Sequence, residues 1–180
     1  NSHSLTGKYL SGKKIVRVNG ELKRADVNMG ALKLLGAAEH NLKNINVSLP
    51  LGKFIAITGV SGSGKSTLMQ VLWGQLPQSS GLITYTAVDK GIPVEEIFSH
   101  VSVATPYMDL IEEFTLEEQL RFHFRMRAIR PDFTIESIID KLYLTQAKDK
   151  TISNFSSGMK QRLKLGLAFY SESNIIFLDE

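Results

Sequence analysis

The chain has 180 residues, 43% of them hydrophobic and 22% charged, with a net charge of +3. That length carries one domain with a real core, or one domain plus a small lobe, and the mild basic excess suits a phosphate ligand without arguing for nucleic acid by itself. The absence of cysteine excludes disulfides and thiolate metal sites. No apolar stretch approaches the roughly 20 residues that span a bilayer. The start has no charged segment followed by an apolar one, so no signal peptide is expected and the reading is cytoplasmic. With no initial Met and an end directly after an apolar run, the sequence reads as a piece of something longer.

In chain order, residues 1–30 form a loop-rich, basic lead-in with one short strand expected at Lys14–Val18. Ala31–Leu35 and the alternating Ile45–Leu49 are strand candidates, followed by a turn at Pro50-Leu-Gly52. Phe54–Thr58 is a continuous apolar run, the pattern of a strand buried on both faces. A helix is expected over Lys65–Trp73, closed by Gly74, then a strand over Gly81–Val88. Pro93–Ser99 reads as a short helix and Val101–Ala104 as a brief strand. Thr115 and Glu118 form a helix-start pair, with Leu116, Leu120 and Phe124 on one face through Arg127. Thr134 caps a second helix carrying Ile135, Ile138, Ile139 and Leu142. A helix over Gly158–Tyr170 and a buried strand over Asn174–Leu178 complete the chain. Strands and helices interleave, so the fold class is α/β. A nucleotide-binding core spans 31–104, an inserted helical subdomain 105–155, and the core resumes over 156–180.

The run Gly59-Val-Ser-Gly-Ser-Gly-Lys-Ser-Thr67 meets the spacing of a phosphate-binding loop in full. A triphosphate needs many donors close together, and backbone N–H groups wrap it most tightly. Gly59, Gly62 and Gly64 remove side chains that would block that approach, while Ser61 and Ser63 add hydroxyls. The helix from Lys65 points its unpaired N–H groups at the phosphates. Lys65 reaches the β- and γ-phosphates, Ser66 ligates magnesium, and Thr67 continues the first turn. Ile175–Leu178 followed by Asp179 and Glu180 is an apolar strand ending in two carboxylates. Asp179 can hold Mg2+, and Glu180 can polarise the water that attacks the γ-phosphate. The expected cofactors are ATP and Mg2+.

Phe155-Ser-Ser-Gly-Met-Lys-Gln-Arg162 resembles the signature motif of ATP-binding-cassette (ABC) ATPases. Phe155, Ser157 and Met159 depart from the usual residues; Ser156, Gly158, Gln161 and Arg162 match. The fold implied is the ABC-type P-loop core with a mixed or parallel sheet. The resemblance implies that Ser156 and Gly158 complete an ATP site on a second nucleotide-binding domain, in a head-to-tail dimer. It divides along the chain. Residues 4–67, including Gly36-Ala-Ala-Glu-His-Asn-Leu-Lys-Asn-Ile45, resemble the second ATPase half of the UvrA family of excision-repair proteins. Residues 75–180, including Thr105-Pro-Tyr-Met-Asp-Leu-Ile-Glu-Glu113, resemble an ABC transporter ATP-binding subunit. The two meet in or just after the phosphate loop, as in a chimera.

Three departures from the family follow. The cysteine zinc module of UvrA is absent, so no zinc is expected. The family's magnesium-sensing Gln falls on Pro106, which has no side-chain ligand. The elements that follow the second motif in the family are not in the sequence, and low turnover is expected of it. His40 stands where many ABC domains place an aromatic against adenine, and a solvated loop His is the other reading. Arg121, Arg125, Arg127 and Arg130 read as a solvated helix face, and Trp73, Phe122 and Phe124 as packing residues. Lys13, Lys14, Arg17, Lys23 and Arg24 read as a basic lead-in. The function read is ATP–magnesium binding and, in a complete dimer, hydrolysis that drives a membrane permease from the inner face of the membrane. The alternatives are a DNA-repair ATPase, with DNA as the weaker partner reading, and an inactive fragment.

Overall fold

The computed structural model describes residues 30–38, 42–51, 53, 55–77, 80–87 and 90–179. The strand expected at Lys14–Val18, the basic lead-in, His40 and Glu180 lie outside the described residues.

Two sheets share one core. In the first, β1 (Gly30–Ala37) pairs antiparallel with β2 (Ile45–Pro50) on one side and β3 (Leu82–Ala87) on the other, and β4 (Lys90–Ile92) flanks β3. Period-2 patterning sets the faces of β1: Leu32 and Leu34 are buried, Lys33 and Leu35 exposed. The β1–β2 register shifts between Leu34 and Ala37, where Gly36 takes φ 66° and donates its N–H to Asn46 Oδ1 at 2.7 Å. In the second sheet, β5 (Val101–Ala104) pairs parallel with β6 (Ile175–Leu178), in register from Val101–Ile175 to Ala104–Leu178.

Helix α1 (Lys65–Leu72) lies against both sheets, burying Met69, Val71 and Leu72. Trp73, just past its end, meets Phe177 of β6 edge-on at 5.6 Å. The Tyr85 hydroxyl donates to Leu72 O at 3.0 Å, and burial pushes its pKa up to about 12. Gly74, with φ 82°, closes the helix as its sequence position indicates.

Gly81 carries a sharper constraint. Its φ is 94°, and a Cβ there would stand 2.3 Å from Leu35 O and 2.5 Å from Gly36 O, both rigid backbone atoms. The strained φ and the overlap together give Gly81→Ala an expected destabilisation of about 3 kcal/mol. The denaturant midpoint checks this, and an unchanged midpoint contradicts it.

The apolar run before the phosphate loop departs from expectation. Residues 55–58 are not a strand, and Ile55 is 39% exposed. A strand needs ladder partners as well as apolar side chains, and none pairs with this run among the described residues. Ile57 still packs against the core. The short helix expected over Pro93–Ser99 forms, as a 3₁₀ turn, Val94–Glu96, running into a one-turn α2 (Ile97–His100).

A second core forms from α3 (Leu116–Met126), α4 (Ile135–Lys141) and the segment after them. Both helices start with reciprocal capping: Thr115 with Glu118, Thr134 with Ser137. Leu116, Leu120, Ile138, Ile152 and Phe155 are buried here. Helix α5 (Ser157–Tyr170) adds Leu163 and Leu167 to this core while also packing along β5, so it bridges the two. Phe124 packs partly into this core, but Phe122 is 42% exposed, touching Phe114 edge-on at its border.

Two of the four arginines read as a solvated face do something else. Arg127 donates to Phe98 O and Val101 O, both at 2.8 Å. Arg130 donates to Phe169 O at 2.7 Å and Ser173 O at 3.2 Å. They fasten the end of α3 to the backbone of the core and of the α5–β6 connection. Arg121 does lie outside, paired with Glu117 at 2.5 Å. Hydrogen bonds from Lys148 and Arg121 hold the Glu117 carboxyl below its usual range.

His123 belongs to the same joint. Buried Ser171 donates its hydroxyl to Leu167 O at 2.6 Å, so its oxygen is left to accept from His123 Nε2 at 2.9 Å. Burial, aided by the Arg127 charge, lowers the His123 pKa, so the folded ring takes up a proton less readily than the unfolded one. Below the ordinary value of 6.5 the unfolded chain takes up a proton that the folded one refuses. The His123 contribution to stability is therefore present above pH 6.5 and falls as pH drops through it. Melting temperatures between pH 7.5 and 5.5 should fall less steeply in His123→Gln than in the unaltered chain; parallel curves contradict this.

Candidate functional site

The site is built from the loop before α1 and the C-terminal end of β6. Gly59, Ser61, Gly62 and Ser63 are exposed around an open turn in which Ser63 N donates to Val60 O at 3.2 Å. Gly62 and Gly64 take φ 77° and 89°, the left-handed region that L side chains enter at a cost. A Cβ at Gly59 would stand 2.7 Å from Ser63 Oγ. Gly64 caps α1 without a side chain, and no acidic residue sits in the first turn of Lys65, Ser66 and Thr67. The helix start thus faces the loop with no side-chain acceptor of its own, the arrangement an anion needs.

Lys65 folds back over the loop, its Nζ donating to Gly59 O at 3.0 Å and Val60 O at 2.9 Å. Its charge therefore stands at the mouth of the turn. Ser66 Oγ donates to Asp179 Oδ1 at 3.1 Å, joining residues 113 positions apart. Asp179 is held there by its own backbone: its N–H donates to Ala104 O at 3.0 Å, one step beyond the β5–β6 ladder. The oxygen pair fits magnesium. Ligands at about 2.1 Å on adjacent vertices of an octahedron lie about 3.0 Å apart, and both are hard oxygens.

Ser156 and Gly158 stand elsewhere. Ser156 caps α5, its Oγ accepting from Met159 N at 3.3 Å, and both residues are exposed. A Cβ on Gly158 would meet nothing within 4 Å, so this surface is open. No hydrogen bond links them to Lys65, Ser66 or Asp179 among the described residues. The structure thus brings Ser66 and Asp179 together and leaves Ser156 and Gly158 exposed. Sequence reasoning missed Lys164, whose Nζ donates to Pro106 O at 2.6 Å. Nothing in the local pattern marks a lysine on an α5 face as the partner of a carbonyl 58 positions away.

Fold and loop together define a P-loop nucleoside triphosphatase domain of the ABC type. A model of the family described as ABC transporter matches residues 42–180, and the chain belongs to that family. ABC transporter A family member 7 of Dictyostelium discoideum is 30% identical over 148 residues, covering 81% of this chain and 18% of that protein. UvrABC system protein A of Streptococcus mutans serotype c is 59% identical over 69 residues, covering 38% of this chain and 7% of that protein. The chain thus spans less than a fifth of these curated relatives. A solved ATP binding subunit of an ABC transporter superposes with a TM-score of 0.71 at 22% identity, covering 84% of this chain and 66% of that one. A putative metal-chelate type ABC transporter in an inward-facing conformation gives 0.61 at 21%, covering 86% of this chain and 60% of that one. At those identities the likeness is one of fold.

No described helix is long and apolar enough to cross a membrane.

Proposed function

We propose that this domain binds ATP with Mg2+ through residues 59–67 and Asp179 and, within a complete head-to-tail pair, hydrolyses it to drive a membrane permease. The observation that carries the reading is the Ser66–Asp179 contact, which brings the loop and the β6 end within hydrogen-bonding distance. Backbone N–H groups of the loop and of the α1 start would bind the phosphates, and Lys65 would exchange its loop carbonyls for phosphate oxygens. Ser66 and Asp179 would hold magnesium, which neutralises charge on the β- and γ-phosphates. Glu180, by its place next to Asp179 in the sequence, is the residue to take a proton from the attacking water. The exposed Ser156 and Gly158 offer a second helix start to the nucleotide of a partner domain.

A groove of about 670 Å³ runs between the joint arginines and the core, with Phe98 67% and Met126 66% exposed along it. Its apolar residues beside polar walls would suit the helix of a permease partner, which supports a location at the inner face of the membrane. Titration with a fluorescent ATP analogue, with and without Mg2+, tests the central reading. Binding tightened by Mg2+ is expected, and no binding in either condition contradicts it.

The 59% identity to a UvrABC system protein supports a second reading as a DNA-repair ATPase. Without cysteine, no stoichiometric zinc is expected by elemental analysis, and damaged duplex should bind no more tightly than intact duplex at physiological salt. A clear preference for damaged duplex would favour the repair reading over transport.

A further inference from the structure

We propose that Lys164, assisted by Lys160, is a positioning residue through which the signature helix sets the magnesium affinity of the Ser66–Asp179 pair. The inference rests on the nucleotide reading above and concerns residues outside it. Between β5 and α3 the chain passes from one core to the other. Its far end is fixed to the helical core: Ser153 N donates to Glu112 O at 2.9 Å, Ile152 N to Phe114 O at 2.9 Å, and Ile111 N to Gln119 Oε1 at 3.0 Å. Its near end is fixed to the site, since Ala104 O accepts from Asp179 N. The stretch between, Thr105–Asp109, is largely exposed and folds on itself through Met108 N and Thr105 O at 3.2 Å. Met108 packs partly against the helical core, and the side-chain hydrogen bond that reaches the stretch from α5 is the Lys164 ammonium on the Pro106 carbonyl. Proline has no N–H and no polar side chain, so its carbonyl is the one polar group that position offers.

Lys160 lies four residues earlier on the same face of α5 and forms an ion pair with Glu112. The two lysines, about 6 Å apart along the helix, hold both ends of the connecting segment. Ser156 begins the same helix, about 12 Å from Lys164 along its axis. A rigid helix transmits displacement: movement of α5 at Ser156 carries Lys164, and with it Pro106 and the end of β5 that anchors the Asp179 backbone. The connection runs from the signature helix to a carboxylate through a backbone carbonyl, with no side chain contributed by position 106.

The test is an Mg2+ titration of fluorescent-ATP binding by the full chain. Lys164→Met should raise the Mg2+ concentration for half-maximal effect about fivefold or more, the low end of coupling between sites. Its affinity without Mg2+ and its melting temperature should stay as in the unaltered chain, and Lys164→Arg, which can still donate, should restore the Mg2+ response. If Lys164→Met does not fold, Lys160→Met carries the test, with a smaller shift in the same direction. An unshifted Mg2+ response, or a loss of equal size with and without Mg2+, overturns the proposal while leaving the nucleotide reading intact. Failure of the unaltered chain to bind nucleotide at all overturns that reading and this one together.

Discussion

Lys65→Ala should weaken binding of Mg2+–ATP by about 100-fold. In the folded chain the ammonium stands over the loop, donating to Gly59 O and Val60 O. A triphosphate entering the loop gives it charged acceptors in place of neutral ones. A hydrogen bond to a charged group contributes about 1.5–3 kcal/mol, and each 1.4 kcal/mol is about tenfold in affinity. Alanine loses that contribution and also lets the loop relax, because two of its carbonyls lose their donor. The substitution lies at the half-exposed first residue of α1, so the melting temperature should move little beside the loss of binding. Fluorescent-nucleotide titration of both proteins checks the prediction, and equal affinities would remove the phosphate loop from the account.

Asp179→Asn should abolish most of the gain that Mg2+ brings to ATP binding, a loss of at least about tenfold, typical of a perturbed metal site. Asparagine keeps an oxygen for Ser66 Oγ, so the contact at 3.1 Å can persist. What it lacks is the charge that a hard divalent cation requires. In the absence of metal the sign reverses: one negative charge fewer beside the phosphates leaves bare ATP bound equally well or slightly better. A carboxylate that merely held the fold would lower both affinities together. Paired titrations with Mg2+ and with a chelator separate the two outcomes.

Local signals in the sequence carried the elements whose stability is local. The capping pairs at Thr115 and Thr134 mark helix starts because the side chain and the backbone it satisfies are three residues apart. Val101–Ala104 is a strand as read, and Gly74 ends α1 because only a left-handed residue fits there. The phosphate-loop motif is readable for the same reason: its spacing lies within nine consecutive residues. What the pattern could not supply was partnership. The apolar run at 55–58 has strand composition, but strand pairing depends on a neighbour far along the chain. Arg127 and Arg130 occupy a helical surface pattern, and only the packing of α3 against the core turns them toward backbone carbonyls. The Lys164–Pro106 bond spans 58 positions, and either residue alone reads as ordinary. Ser66 and Asp179 are read from motif chemistry as ligands of magnesium, with no local pattern to join them, and the fold brings the two within hydrogen-bonding distance.

The central claim is that the phosphate loop and the β6 carboxylate serve one metal–nucleotide site, and a double-mutant cycle on Mg2+–ATP binding tests it most directly. Ser66→Ala, Asp179→Asn and the double variant are titrated with and without Mg2+, and the coupling energy is taken as the difference between the two conditions, so that the direct Ser66–Asp179 hydrogen bond cancels. If both oxygens serve one ion, removing the second costs much less than removing the first, and a coupling of about 0.5–3 kcal/mol appears with Mg2+. Additive losses, with no coupling attributable to Mg2+, would mean that the two residues touch in the fold but do not share a metal, and the account of the site would be wrong.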